Sequence, residues 1–194
     1  MTRPVPVEGD DRLPPLHPAR YTPEQRAAAD RLIATPRGEV RGPFVPLLRS
    51  PELLDRTQAL GEFIRYRCGV PKRLREFAIL LVAHHWRQAY EWHAHAREAA
   101  AAGVSLAAIE SIAAGGPLTD AAEDERAVHA FVEDLLTRGE AGDAVYAAVL
   151  DLLGEAGVVE LTGLVGYYAL LAMILNVART PSPGEPFASP AKPG

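Results

Sequence analysis

The chain has almost no cysteine and, through its middle, almost no proline. Cys68 is the one cysteine among 194 residues, which excludes an intrachain disulfide and dithiol chemistry within one subunit and makes the cytoplasm the default compartment. Of the 17 prolines, six lie in the first 23 residues, five in the last 14, and only Pro117 falls between 72 and 180. An interior proline costs a helix ~3 kcal/mol, so a long proline-free stretch in a chain with 33 alanines is composed for helices. Positive charge is not in excess either: 25 Asp+Glu against 20 Lys+Arg leave −5, which argues against a basic surface that holds nucleic acid. No glycine-rich phosphate loop, Gly-x-Ser-x-Gly elbow or EF-hand loop is present. The N-terminal MTRPVPVEGDDRLPPLHPARY has no apolar run and carries Asp10 and Asp11, unlike a secretory leader. The long uncharged run at 161–178 is at the lower limit for a membrane span. Its Thr162, Tyr167, Tyr168 and Asn176 favour a buried or subunit-facing helix instead.

What is there reads as one all-α domain of about eight helices over 23–179, between a proline-rich arm at 1–22 and a proline-rich tail at 180–194. The arm is expected to reach a neighbouring subunit. Thr22-Pro23 and Ser50-Pro51 pair a capping residue with proline at the first helical position, and each starts a helix. The connector 36–48 holds three prolines, two glycines and the apolar Phe44, Val45, Leu47 and Leu48, so it is expected to lie over the domain as a lid or wall. Gly61 and Gly69 read as helix punctuation. From Lys72 to about Ala102 no proline or glycine interrupts, and its FAILLVA segment is apolar on every side; 72–102 and 143–179 are expected as two antiparallel pairs that supply most of the core. Ser105 caps a short helix ending at Gly115. Thr119 or Asp120 caps the next, which ends near Gly139. Gly154 and Gly157 separate a helix at 143–153 from the last one at 158–179.

The strongest local anomaly is a twelve-residue window that contains His84, His85, His93 and His95 together with Tyr90 and Glu91. On a continuous helix, His84, Glu91 and His95 fall within about 20° of a single line, and Glu91 would touch His95. A carboxylate that holds one imidazole nitrogen fixes the tautomer and leaves the other nitrogen free for proton transfer. Glu76 sits beside the apolar run, where a carboxylate must be paired or protonated. His93 and His85 read as surface residues, and His84 as either a core or a site residue. A metal held by His84, Glu91 and His95 is a competing reading, although no two histidines have the four-residue spacing of single-helix zinc sites.

The segment Arg75–His95, REFAILLVAHHWRQAYEWHAH, with the following REAAAAGVSLAAIESIAAG, resembles the carboxymuconolactone decarboxylase family, which includes the AhpD-like alkylhydroperoxidases. Redox members of that family carry a glutamate, eleven residues, Cys-x-x-Cys, three residues and a histidine. Here the same spacing reads Glu76, Gln88, Glu91 and His95, so the acid/base residues are present and both thiols are absent. The resemblance implies a cofactor-independent lyase, a carboxy-lyase or isomerase acting by proton transfer on a small carboxylated lactone or enolisable carbonyl compound. His95, oriented by Glu91, would be the proton donor, Glu76 a supporting carboxylate or relay, and Tyr90 or His84 a hydrogen-bond donor to the enolate. Arg75 and Arg87 stand nearest the motif as clamps for the substrate carboxylate, with Arg65, Arg67 and Arg73 as further candidates. No metal or organic cofactor is implied, and the family implies a homo-oligomer, trimeric or hexameric. A thiol-free relative of the alkylhydroperoxidases with only a binding role is the other alternative.

Overall fold

The computed structural model of the chain describes residues 10–185 and Phe187; residues 1–9 of the arm and most of 186–194 of the tail lie outside the described residues. Eight α-helices follow in order: α1 (Pro23–Ile33), α2 (Phe44–Leu47), α3 (Pro51–Tyr66), α4 (Lys72–His85), α5 (Ala89–Ala101), α6 (Leu106–Ala114), α7 (Glu123–Arg138) and α8 (Asp143–Ala178). Among the described residues there is no strand, so the fold is all-α, as composition implied.

The capping chemistry read from the sequence is in place at several ends. Thr22 accepts from the Gln25 backbone N–H while the Gln25 side chain accepts from the Thr22 N–H, closing a capping box at α1. Ser105 accepts from Ala108 N–H at the start of α6, and Gly115 and Gly139 end α6 and α7 in the left-handed conformation. The start of α7 differs from expectation: Ala122 precedes it, and the Glu125 carboxylate accepts from the Ala122 N–H, so neither Thr119 nor Asp120 is the cap.

Helix α4 is the centre of the molecule. It packs on α5, α6, α7 and α8, and every residue from Leu74 to Ala83 is buried. Burial of a side chain such as Phe77, Ile79 or Leu80 contributes about 1.5–3 kcal/mol, which is why this stretch needs no polar face. Helix α8 runs along α3, α4 and α7. It is long and apolar enough to span a membrane, and half of its most apolar window is buried inside the bundle. Its two arms join directly at Gly154 (φ 70°, ψ 176°) without a loop, while Gly157 is helical and packed against Leu153. The described part of the arm is hydrogen-bonded to the rest of the chain: the Arg12 N–H donates to the Ala178 carbonyl at 2.7 Å, and Arg49 donates to the Pro14 carbonyl at 2.5 Å.

The stretch 72–102 is a pair of helices, broken at Trp86–Gln88, so the continuous helix on which His84, Glu91 and His95 were aligned does not form. Arg87 takes a left-handed conformation (φ 49°), and the Gln88 side chain accepts from the Tyr90 N–H to start α5. The break is clamped from α8, because Gln88 Nε2 donates to Asn176 Oδ1 at 3.1 Å and Asn176 Nδ2 donates to the Trp86 carbonyl at 2.9 Å. Gln88 and Asn176 are both buried. Asn176→Leu should therefore lower stability by about 1–3 kcal/mol for each hydrogen-bonding group it orphans, read as a drop in the urea midpoint at unchanged slope.

Candidate active site

Breaking the helix redirects its histidines. Bringing α5 back along α4 places His95 against Glu76, and His95 Nδ1 lies 2.7 Å from Glu76 Oε2 with both side chains buried. His95 Nε2 faces Glu91 Oε2 at 3.5 Å, beyond hydrogen-bond length. The roles expected of the two carboxylates are thus exchanged: Glu76 on α4 orients the ring, and Glu91, one turn earlier on α5, stands at the opposite nitrogen. With Glu76 accepting from Nδ1, the neutral ring presents Nε2 as its basic nitrogen. The ring of Tyr168 meets His95 edge-on at 5.1 Å, and Tyr167 meets Tyr168 at 5.2 Å.

The two carboxylates are driven in opposite directions. Burial works to raise the Glu76 carboxyl, but the His95 hydrogen bond and charge, with Arg65 and Arg75, bring it below its ordinary value. Burial raises the Glu91 carboxyl, and His95, Arg65 and Arg37 only partly offset it. The two environments thus favour the ionised form of Glu76 and the protonated form of Glu91. Burial also pushes Tyr167 up to about 12 and Tyr168 well above its ordinary value, so both remain hydrogen-bond donors.

Glu91 and His95 line a cleft of about 380 Å³ whose wall also includes Tyr90, Tyr167 and Tyr168. The connector forms the opposite wall, as the sequence led one to expect, through Arg37, Arg41 and Phe44. Tyr90 packs against Gly42, where a Cβ would stand 2.7 Å from its ring and where φ is +56°. Arg65 and Arg97 complete the basic lining.

Three of the expected site residues lie elsewhere. His84 ends α4 on another side of the bundle, edge-on to Phe187, and lines a separate cavity of about 280 Å³ with His85 and His129. The set His84, Glu91 and His95 is therefore not assembled, and among the described residues no group of three or more His, Cys, Asp or Glu side chains is placed to hold a metal ion. Arg75 is buried away from the cleft wall and donates to the Val70 carbonyl at 3.4 Å, beside Cys68. Arg87 sits in the exposed turn after α4, over the Phe187 ring. His84 was aligned with Glu91 and His95 along a continuous helix, whereas α4 ends at His85; Arg75 and Arg87 were chosen by nearness in sequence, which does not decide which wall a side chain reaches.

The cleft also contains residues that the sequence did not single out. Arg37 and Arg41 lie in the connector, where only its apolar residues drew attention, and Tyr167 and Tyr168 lie inside the uncharged run. The two adjacent tyrosines in that run were the available signal.

The arrangement is a histidine between two carboxylates in a cleft of an all-α domain that no cysteine lines. The model of the carboxymuconolactone decarboxylase family matches residues 51–134, the segment from α3 into α7 that carries Glu76, Glu91 and His95. No curated protein and no solved structure matches the chain.

Linkage gives the two carboxylates opposite signatures. Glu76, lowered in the fold, adds stability above the ordinary carboxylate range that is lost as pH falls through its folded value. Glu91, raised in the fold, adds stability below that range, lost as pH rises through its folded value. At about pH 8, Glu91→Gln should be more stable than the natural chain and Glu76→Gln less stable, with the Glu91→Gln advantage shrinking toward about pH 4. Urea unfolding at the two pH values reads both signs.

Proposed function

We propose that the chain is a cofactor-independent carboxy-lyase or isomerase that moves a proton at carbon in a small carboxylated lactone or enolisable carbonyl acid. The observation that carries this reading is His95 held at 2.7 Å by an ionised Glu76 and facing a buried, protonation-favouring Glu91 in an arginine-lined cleft. The match of residues 51–134 to the carboxymuconolactone decarboxylase family supports it.

For decarboxylation, the carbon–carbon bond to the carboxylate breaks, carbon dioxide leaves, and the electron pair moves into the conjugated carbonyl as an enolate. Arg65, whose charge acts on Glu76, Glu91 and Tyr168, and the Tyr90 hydroxyl supply the positive field for the enolate oxygen. Glu91, directly or through His95 Nε2, delivers the proton to the accepting carbon, and solvent restores it. Isomerisation uses the same pair, with a proton removed from one carbon and returned at another. A peroxide-reducing role has no thiol pair to use: Gln88 and Glu91 stand at the cysteine positions, and Cys68 donates to the Ile64 carbonyl outside the cleft.

We also propose a homo-oligomer, the trimer or hexamer that the family resemblance implies, in a cytoplasmic setting. Its support is the outer stripe of α8, where Val159, Gly163, Gly166, Leu170, Met173 and Val177 recur at alternating four- and three-residue spacing. Val159 is 71% and Val177 65% exposed, and a second copy of the same stripe is the apolar surface that would cover them.

Incubation with carboxymuconolactone in deuterium oxide should give carbon dioxide and a product deuterated at carbon. His95→Gln and Glu91→Gln should each cut that rate by about 10²–10⁴-fold with the fold intact, and unchanged turnover in both would overturn the assignment. Light scattering should give three or six times 20.9 kDa, and Met173→Glu with Val177→Glu should shift the chain toward monomer.

A further inference from the structure

The cleft contains polar groups that the described residues leave unsatisfied. Nε and Nη2 of Arg37 and the hydroxyl of Tyr167 are buried, with no hydrogen-bond partner among the described residues. Tyr167 is only 3% exposed. The Arg37 guanidinium stands near enough to act on the Tyr167 hydroxyl by its charge and by a hydrogen bond of poor geometry that satisfies neither group. Buried donors without acceptors are costly, and these three lie together at one end of the cleft that holds Glu91 and His95.

Two further features hold that end in shape. The Arg37 guanidinium lies over the Phe44 ring, 4.5 Å from its centre, which presents the edge of the fork rather than its face. Gly61 sits in the interior of α3, where glycine is poorer than alanine. A Cβ there would stand 2.0 Å from the Tyr167 hydroxyl oxygen and 2.8 Å from Arg37 Nη2. Gly61 is thus not punctuation; it keeps space open for two donors that find no well-aligned acceptor among the described residues.

The donor set selects the ligand. Guanidinium N–H groups and a phenol that stays protonated offer hydrogens and one positive charge, and a carboxylate is the small organic group that only accepts and carries the opposite charge. We propose that Arg37 and Tyr167 form a carboxylate subsite, kept open by Gly61, that holds the substrate's carboxylate and discriminates against uncharged esters. This rests on the reading above in taking His95 and Glu91 as the reacting end of the same cleft. Arg37 and Tyr167 lie outside the family segment 51–134, so the subsite is built by the connector and by α8.

The test is equilibrium binding, which needs no turnover. Calorimetric titration with γ-carboxy-γ-butyrolactone and with its methyl ester should show the acid binding at least about tenfold tighter. Arg37→Gln and Gly61→Ala should each bring the ratio close to one. Tyr167→Phe should reduce it several-fold, Arg37→Lys should keep part of it, and Arg87→Gln, outside the cleft, should leave it unchanged. Circular dichroism confirms folding of each variant. The same ratio should persist in His95→Gln, which separates the two proposals: discrimination without proton transfer would leave the subsite standing while removing the reaction. Equal affinity for acid and ester in the natural chain, no saturable binding of the acid, or a ratio unchanged by both Arg37→Gln and Gly61→Ala would overturn the subsite.

Discussion

The hydrogen bond between Glu76 and His95 is the constraint on which the cleft depends. It joins the middle of α4 to the middle of α5 across 2.7 Å, and both groups are buried, so neither can exchange its partner for water. A charged acceptor in so apolar a place is stable only because the imidazole takes its lone pair and arginines lie near. Once the ring is held from Nδ1, the position of Nε2 follows, and with it the distance to Glu91 and the face that Tyr168 covers.

That bond in turn requires the break between α4 and α5. A helix run straight through 86–88 would keep Glu76 and His95 nineteen residues apart on one rod, roughly 28 Å at 1.5 Å per residue. The turn at Arg87 folds that distance away, and the amide of Asn176 occupies the groups that the turn exposes. Gln88, at the first of the two positions where redox relatives place thiols, serves here as a helix cap and a clamp. Glu91, at the second, supplies a carboxyl kept toward its neutral form by burial. One motif spacing therefore carries a helix cap and a buried carboxyl in place of two sulfurs.

Helix α8 carries three duties on one apolar scaffold. Its buried face packs on α4 and α7, Asn176 locks the turn, and Tyr167 and Tyr168 reach into the cleft. Its outer face keeps a stripe of small and apolar residues in the open. The absence of charge along 161–178, first a question about membranes, follows from a helix with work on both faces.

The sequence by itself determined the helical class, several of the helix ends and the identity of Glu76, Glu91 and His95, because caps, prolines, glycines and residue spacing act locally. It also placed the connector 36–48 over the domain. It did not determine the break at Trp86–Gln88, since no proline or glycine marks it and its cause, Asn176, lies 88 residues beyond Gln88. For that reason His84 was aligned with a site it does not reach, while Arg87 was chosen by nearness in sequence and Arg37 and Tyr167, far from the motif along the chain, were passed over. Which carboxylate holds His95, and which groups share a wall with it, was decided only when α4, α5, α8 and the connector met: packing brings distant residues together, and burial then sets their charge.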